Sequence, residues 1–168
     1  MPDQTIQQIT THSAEETTQW GREFAKRLTA PVLVLLSGDL GTGKTTLTKG
    51  IVAGLGAATE DEVTSPTFTL VHIYGGKSPA ACSAKEPAAS AAESTPPKVY
   101  HADLYRIESF HDFETLGLED LFDTPSIAIF EWSERFPLKS PWPQIRLRLE
   151  HAGGDSRRIS LSKNRDSQ

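Results

Sequence analysis

Residues Gly38 to Thr45 read Gly38-Asp39-Leu40-Gly41-Thr42-Gly43-Lys44-Thr45 and match the pattern G-x-x-x-x-G-K-[ST]. No other stretch constrains the fold as tightly. Glycines allow successive backbone N–H groups to turn inward around an anion, the lysine adds a cation for the outer phosphates, and the hydroxyl after it can ligate Mg²⁺. A chain of this length and ordinary composition carries the pattern by accident on the order of once in two hundred. The flanks agree with it. Val32-Leu33-Val34-Leu35-Leu36 is the continuous apolar run of a strand buried on both faces, and it leads straight into the loop. Behind the loop, Leu47, Ile51, Val52 and Leu55 fall at helical spacing, with Gly54 and Gly56 where that helix should stop. The N-terminus of such a helix faces the bound phosphate.

The chain has 168 residues, enough for one domain with a real core, and residues 1–168 are expected to form a single phosphate-binding domain. Its 22 acidic residues outnumber the 17 basic ones, so no general electrostatic affinity for nucleic acid is expected. The single cysteine, Cys82, has no partner for an internal disulfide, which suits a reducing compartment. No apolar stretch reaches the length needed to span a bilayer, and Met1-Pro2-Asp3-Gln4 lacks the basic and apolar blocks of a signal peptide. A cytoplasmic protein without membrane contact is expected.

Along the chain, Thr5 to Thr10 reads as a short edge strand. Ser13-Ala14-Glu15-Glu16 reads as a capping box, with Glu16 reaching back to the cap. Thr17, Trp20, Phe24 and Leu28 give the following helix its apolar face, and Pro31 lies beyond its end. Phe68 to Tyr74 is strand-like in its β-branched and aromatic content. The segment before it, Ser65-Pro66-Thr67, is stiffened by the proline and is either a plain strand-entry turn or a switch-like loop that senses a γ-phosphate. Gly75 to Pro97 then holds 7 Ala, 4 Ser and 4 Pro and no large apolar residue, so it reads as a flexible insertion between two strands.

Val99 to Arg106 resumes order as a strand and a turn, and Ser109 to Gly117 reads as a short helix with Phe110, Phe113 and Leu116 on one side. Ser126 to Glu131 is an apolar run that ends in a carboxylate. Folds built on a phosphate loop place an acid at the end of a buried strand beside it, holding Mg²⁺ or one of its waters, and Glu131 suits that place. Asp103 ends the preceding strand and offers a second carboxylate to orient an attacking water. In the tail, Ile145, Leu147 and Leu149 alternate with Arg146, Arg148 and Glu150, and Ala152-Gly153-Gly154-Asp155 turns the chain into a hairpin with Arg157 to Leu161. Arg157 and Arg158 read as a solvated strand edge in preference to a nucleotide contact. The whole implies an α/β fold of three layers with a mainly parallel central sheet, extended by antiparallel strands from Phe68–Tyr74 and Val99–Asp103 and by the C-terminal hairpin.

Four blocks in this order, Gly38 to Thr46, Ser65 to Val71, His101 to Arg106 and Glu131-Trp132, together with Gly117-Leu118-Glu119, make the chain resemble the TsaE (YjeE) family, the small ATPases of bacterial tRNA threonylcarbamoyladenosine biosynthesis. The resemblance implies ATP and Mg²⁺ as ligands. It implies nucleotide contacts from Asp39, Leu40, Gly41, Thr42, Gly43, Lys44, Thr45 and Thr46, and a metal site at Thr45 and Glu131. It also implies a role for Asp103, Lys44 and Glu131 in turnover. The implied partners are threonylcarbamoyl-transferase subunits of the TsaD and TsaB kind, with tRNA involved indirectly. Slow intrinsic hydrolysis stimulated by a partner is the expected activity, and Arg106 is the internal candidate for a charge-stabilising arginine. Two other readings remain open on the residues alone: a small-molecule kinase using the same loop, and a nucleotide-gated interaction module. Neither D-x-x-G nor N-K-x-D is present to read guanine.

Overall fold

A computed structural model describes residues 5–66, 70–76, 95–118, 120–135 and 138–164. Thr67 of the constrained connection, Phe68 and Thr69 of the expected strand, Glu119, Cys82 and most of the 75–97 insertion lie outside these residues.

Among the described residues seven strands form one sheet: β1 (Thr5–Thr11), β2 (Val32–Ser37), β3 (Val71–Tyr74), β4 (Val99–Asp103), β5 (Ile127–Glu131), β6 (Gln144–His151) and β7 (Arg157–Asn164). Their order is β1-β7-β6-β2-β5-β4-β3. β6, β2, β5 and β4 run parallel, each to its neighbour, while β7 and β1 extend one side antiparallel and β3 the other. The expected α/β class with a mainly parallel centre and antiparallel extensions is therefore present. One strand sits differently from its expected place. Val99–Asp103 belongs to the parallel centre, pairing with β5 from Val99↔Ile127 to Asp103↔Glu131, and only β3 lies antiparallel outside it.

The apolar run Val32–Leu36 explains why β2 is central. All five residues are buried, and alternate side chains point to opposite faces. Val32, Val34 and Leu36 join Phe24, Leu47 and Ile51 beneath helices α1 (Ala14–Ala25) and α2 (Lys44–Gly54). Leu33 and Leu35 join Leu104, Leu118 and Phe130 on the other face, where Phe113 of the short helix α3 (Phe110–Thr115) packs. Each fully buried Leu or Ile of these two cores contributes roughly 1.5–3 kcal/mol.

Ser13 caps α1 by accepting from the Glu16 N–H at 3.1 Å. The Glu16 carboxylate reaches back one residue further than a capping box would, accepting from the His12 N–H at 2.7 Å. The two helices approach so closely that glycine is obligatory at the crossing: a Cβ on Gly50 would lie 2.1 Å from the Thr18 carbonyl oxygen, and one on Gly54 2.8 Å from the Arg22 Cα. Gly54 closes α2 as expected and also serves helix packing, and the chain turns at Gly56, where φ is +70°. On the opposite face Phe110 is 57% exposed, so the apolar side of α3 is only partly covered.

Candidate phosphate and metal site

β2 delivers the chain to Gly38, whose φ of +144° and close approach leave no room for a side chain: a Cβ there would lie 2.4 Å from the Leu149 carbonyl oxygen. The loop ends at Gly43, in the left-handed conformation at φ 95°, which precedes α2 without a side-chain cap. The first amides of α2 are consequently unclaimed by a capping side chain, which is what an anion at a helix N-terminus requires. Thr42 faces inward, its hydroxyl donating to the Asp39 carbonyl at 2.8 Å. Leu40 stands at the loop tip, 74% exposed.

Lys44 is folded back into this loop. Its ammonium donates to the Gly38 carbonyl at 2.6 Å and the Asp39 carbonyl at 2.9 Å, and it lies 3.9 Å from the ring centroid of Trp132. Burial lowers its pKa below the usual 10.5, opposed by the nearby charges of Glu131, Glu134, Asp103 and Asp39.

Thr45, next along, donates to Glu131, with Oε2 at 3.1 Å and Oε1 at 3.2 Å. The sheet makes this contact possible. Glu131 is the last residue of β5, in register with Leu36 of β2 on one side and Asp103 of β4 on the other. The carboxyl ends of parallel strands therefore bring both expected acids beside the loop, the usual position for ligands in an open α/β sheet. Glu131 is 2% exposed and contacts His101 Nε2 at 2.7 Å, and the Thr48 hydroxyl, which donates to the Lys44 carbonyl at 2.9 Å, lies 3.3 Å from its Oε1. Asp103, 5% exposed, accepts from the Ser65 hydroxyl at 2.8 Å and the Tyr105 N–H at 2.9 Å.

A cavity of about 420 Å³ opens over these groups, walled by Gly43, Lys44, Thr45, Asp103, Glu131 and Trp132, with Gly41, Thr46, Ser65 and Arg106 also lining it. Pro66 is buried, and Thr67 lies outside the described residues. Arg157, expected on a solvated edge, instead donates to the Gly41 carbonyl at 3.3 Å, so the C-terminal hairpin touches the loop. Arg158 is exposed. Sequence reasoning passed over His101 and Thr48, although His101 precedes Asp103 by two on one strand and so shares its face. Among the described residues no three His, Cys, Asp or Glu side chains cluster as a metal site. A hydroxyl and one carboxylate are what remains, a donor set that suits Mg²⁺ completed by phosphate oxygens and water. Among the described residues no helix is long and apolar enough to cross a membrane.

A loop shaped for phosphate, fed by a central parallel strand and flanked by an acid on the next, places the chain among P-loop nucleotide-binding proteins. Its relatives narrow the assignment. The model of the family "Threonylcarbamoyl adenosine biosynthesis protein TsaE" matches residues 11–159. The TsaE protein of Treponema pallidum is 30% identical over 150 residues, covering 89% of this chain and 96% of that one. The TsaE protein of Haemophilus influenzae is 35% identical over 150 residues, covering 85% and 80%. A crystal structure of Bacillus subtilis YdiB superimposes with a TM-score of 0.61 at 26% identity, covering 94% of this chain and 84% of that one. The chain belongs to the TsaE family.

Proposed function

We propose that residues 1–168 form one ATPase domain that binds MgATP, hydrolyses it slowly alone, and is stimulated by threonylcarbamoyl-transferase subunits of the TsaD and TsaB kind during threonylcarbamoyl modification of tRNA. The family assignment supports the pathway. The observation that carries the ATPase reading is the contact between Thr45 of the phosphate loop and Glu131 at the end of β5. Thr45 and Glu131 are the groups that would hold Mg²⁺, and the bound metal supplies charge neutralisation at the phosphate oxygens.

The remaining roles follow from each side chain's position. Lys44 exchanges two backbone carbonyls for phosphate oxygens, so an ammonium already in the loop meets the anion with little rearrangement. Among the described residues Asp103 is held by two donors, one on each oxygen, and each oxygen keeps lone-pair capacity to orient a water. Ser65 ties the connection before β3 to that same carboxylate, which gives the Ser65–Pro66–Thr67 segment a route for sensing the γ-phosphate. Phosphoryl transfer also needs positive charge opposite the loop, and Arg106 at the cavity or an arginine of the partner supplies it.

Phosphate release from MgATP, measured with and without the transferase subunits, tests this reading. Slow release alone and stimulation of about 10³-fold or more with partners is expected if an arginine is supplied in trans. Release by Lys44→Ala at the wild-type rate, or transfer of phosphate to an added metabolite in place of release, would overturn it.

A further inference from the structure

His101 is the most deeply buried ionisable side chain next to the site, fully enclosed on β4. Its Nε2 lies 2.7 Å from Glu131 Oε1, the shortest of the contacts that carboxylate makes among the described residues. An ionised carboxylate only accepts, so Nε2 carries the proton and donates. The ring's other nitrogen, Nδ1, is buried with no hydrogen-bond partner among the described residues. Leaving a buried acceptor unmatched costs about 1–3 kcal/mol, so this imidazole is a poor choice for a core position unless its Nε2 contact matters.

The donors on Glu131 are distributed unevenly. Among the described residues, Oε1 takes the short His101 contact, one arm of Thr45 and a long secondary arm of Thr48, whose hydroxyl lies closer to the Lys44 carbonyl at 2.9 Å, whereas Oε2 takes only the other arm of Thr45. The carboxylate is thus anchored by His101 through Oε1, while the Thr45 hydroxyl at the cavity straddles both oxygens and Oε2 is left the less occupied of the two. The His101 ring is itself confined by His72, edge-on at 6.4 Å between centroids, and by Tyr74, tilted at 6.4 Å. A rotation of the Glu131 side chain would break the His101 contact and leave a second buried polar atom unmatched.

We propose that His101 is a positioning residue for the metal site: it clamps Glu131 through Oε1 and thereby presents Oε2, together with the Thr45 hydroxyl, to the divalent cation of a bound metal–nucleotide. This rests on the assignment of Thr45 and Glu131 to the metal site. Partners of this outer kind typically change metal affinity by about 10–100-fold when removed. His101 touches neither nucleotide nor metal in this scheme, so its removal acts on the metal requirement and leaves metal-free nucleotide binding alone.

The test is a Mg²⁺ titration of the full chain saturated with a non-hydrolysable ATP analogue, read by calorimetry, for wild type, His101→Leu, His101→Gln and Glu131→Gln. The expected result is a half-saturating Mg²⁺ concentration raised about 10–100-fold in His101→Leu, with analogue affinity in chelator unchanged, and recovered in large part by His101→Gln, whose amide can donate from a similar place. A wild-type Mg²⁺ requirement in His101→Leu while Glu131→Gln is shifted would overturn the clamp and leave the metal site standing. Should Glu131→Gln also match wild type, the metal assignment itself is wrong and the clamp falls with it. If His101→Leu unfolds, the imidazole ¹⁵N resonances of wild type decide: a ring protonated at Nε2 whose signals move when Mg²⁺ joins the analogue complex supports the clamp, and signals indifferent to Mg²⁺ overturn it.

Discussion

The ammonium of Lys44 rests 3.9 Å from the centroid of the Trp132 ring while donating to two carbonyls of its own loop. Trp132 holds this place with φ at 59°, a left-handed conformation unusual for a bulky residue. The residue directly after Glu131 thus lays its indole against Lys44, whose ammonium also feels the Glu131 charge. Strain of this kind, of order 1–3 kcal/mol, persists where the surroundings over-determine it, and here those surroundings are the phosphate loop.

Trp132 should therefore report nucleotide binding. When Lys44 turns to phosphate, the cation leaves the ring face and the indole emission changes. Trp20 stacks on Phe24 and Trp142 packs on Phe122, both outside the cavity, so they give a constant background. Fluorescence titration of wild type with ADP should show a saturable change, and Trp132→Phe should show none.

The depressed Lys44 pKa sets a pH dependence with opposite signs for binding and for folding. An anion favours the charged amine, so nucleotide binding raises the Lys44 pKa above its value in the free protein. Affinity should stay level at neutral pH and fall as pH rises through the lowered free value, with proton uptake on binding in that window, measurable by calorimetry in buffers of different ionisation enthalpy. For the fold alone, the unfolded chain binds more protons between the lowered folded value and 10.5, so this group makes stability rise with pH across that interval.

Asp103→Asn should separate binding from turnover. The amide oxygen can still accept from the Tyr105 N–H, and the amide nitrogen can donate to the Ser65 hydroxyl, so the local geometry survives. On the proposed role, loss of the carboxylate takes away the group that orients the attacking water, and partner-stimulated phosphate release should drop by about 10²–10⁴-fold. Nucleotide affinity should be unchanged or slightly tighter, because a negative charge has left the cavity.

Gly50→Ala tests the helix crossing. In an open helix the change would stabilise by up to about 1 kcal/mol through propensity. Here the new methyl would meet the Thr18 carbonyl oxygen at 2.1 Å, a backbone atom that moves only with α1. Overpacking of roughly 1–3 kcal/mol should win, lowering the melting temperature by several degrees in a chain of this size, at about 2–4 °C per kcal/mol. A melting temperature at or above that of wild type would refute the tight crossing.

What could be read from residue order was whatever is local. The phosphate loop, the buried strand before it and the helix after it are contiguous, and their spacing alone exposed them. Glu131 and Asp103 were legible as strand-ending acids because each closes its own apolar segment. The sheet order was not: β2 lies between β5 and β6, each about a hundred residues along the chain, and nothing in Val99–Asp103 distinguishes a parallel partner of β5 from an antiparallel extension. His101 escaped notice for a related reason. A histidine in a strand has no periodic signature, and its meaning lies in Glu131, 30 residues away in sequence and 2.7 Å away in space. Gly54 ends α2 as its place in the sequence indicates, but its second role was not legible, because its contact with Arg22 depends on how α1 crosses α2.

The decisive experiment is calorimetric titration of an ATP analogue, in Mg²⁺, into the wild-type chain and into Lys44→Ala, with melting curves to show that both are folded. A single saturable site in wild type, weakened about 10–100-fold in the variant by loss of a charge-assisted contact of roughly 1.5–3 kcal/mol, is the expected result. Equal affinity in the two proteins, or no binding by the folded wild-type chain, would contradict a cradle of loop amides and Lys44 as the seat of nucleotide binding.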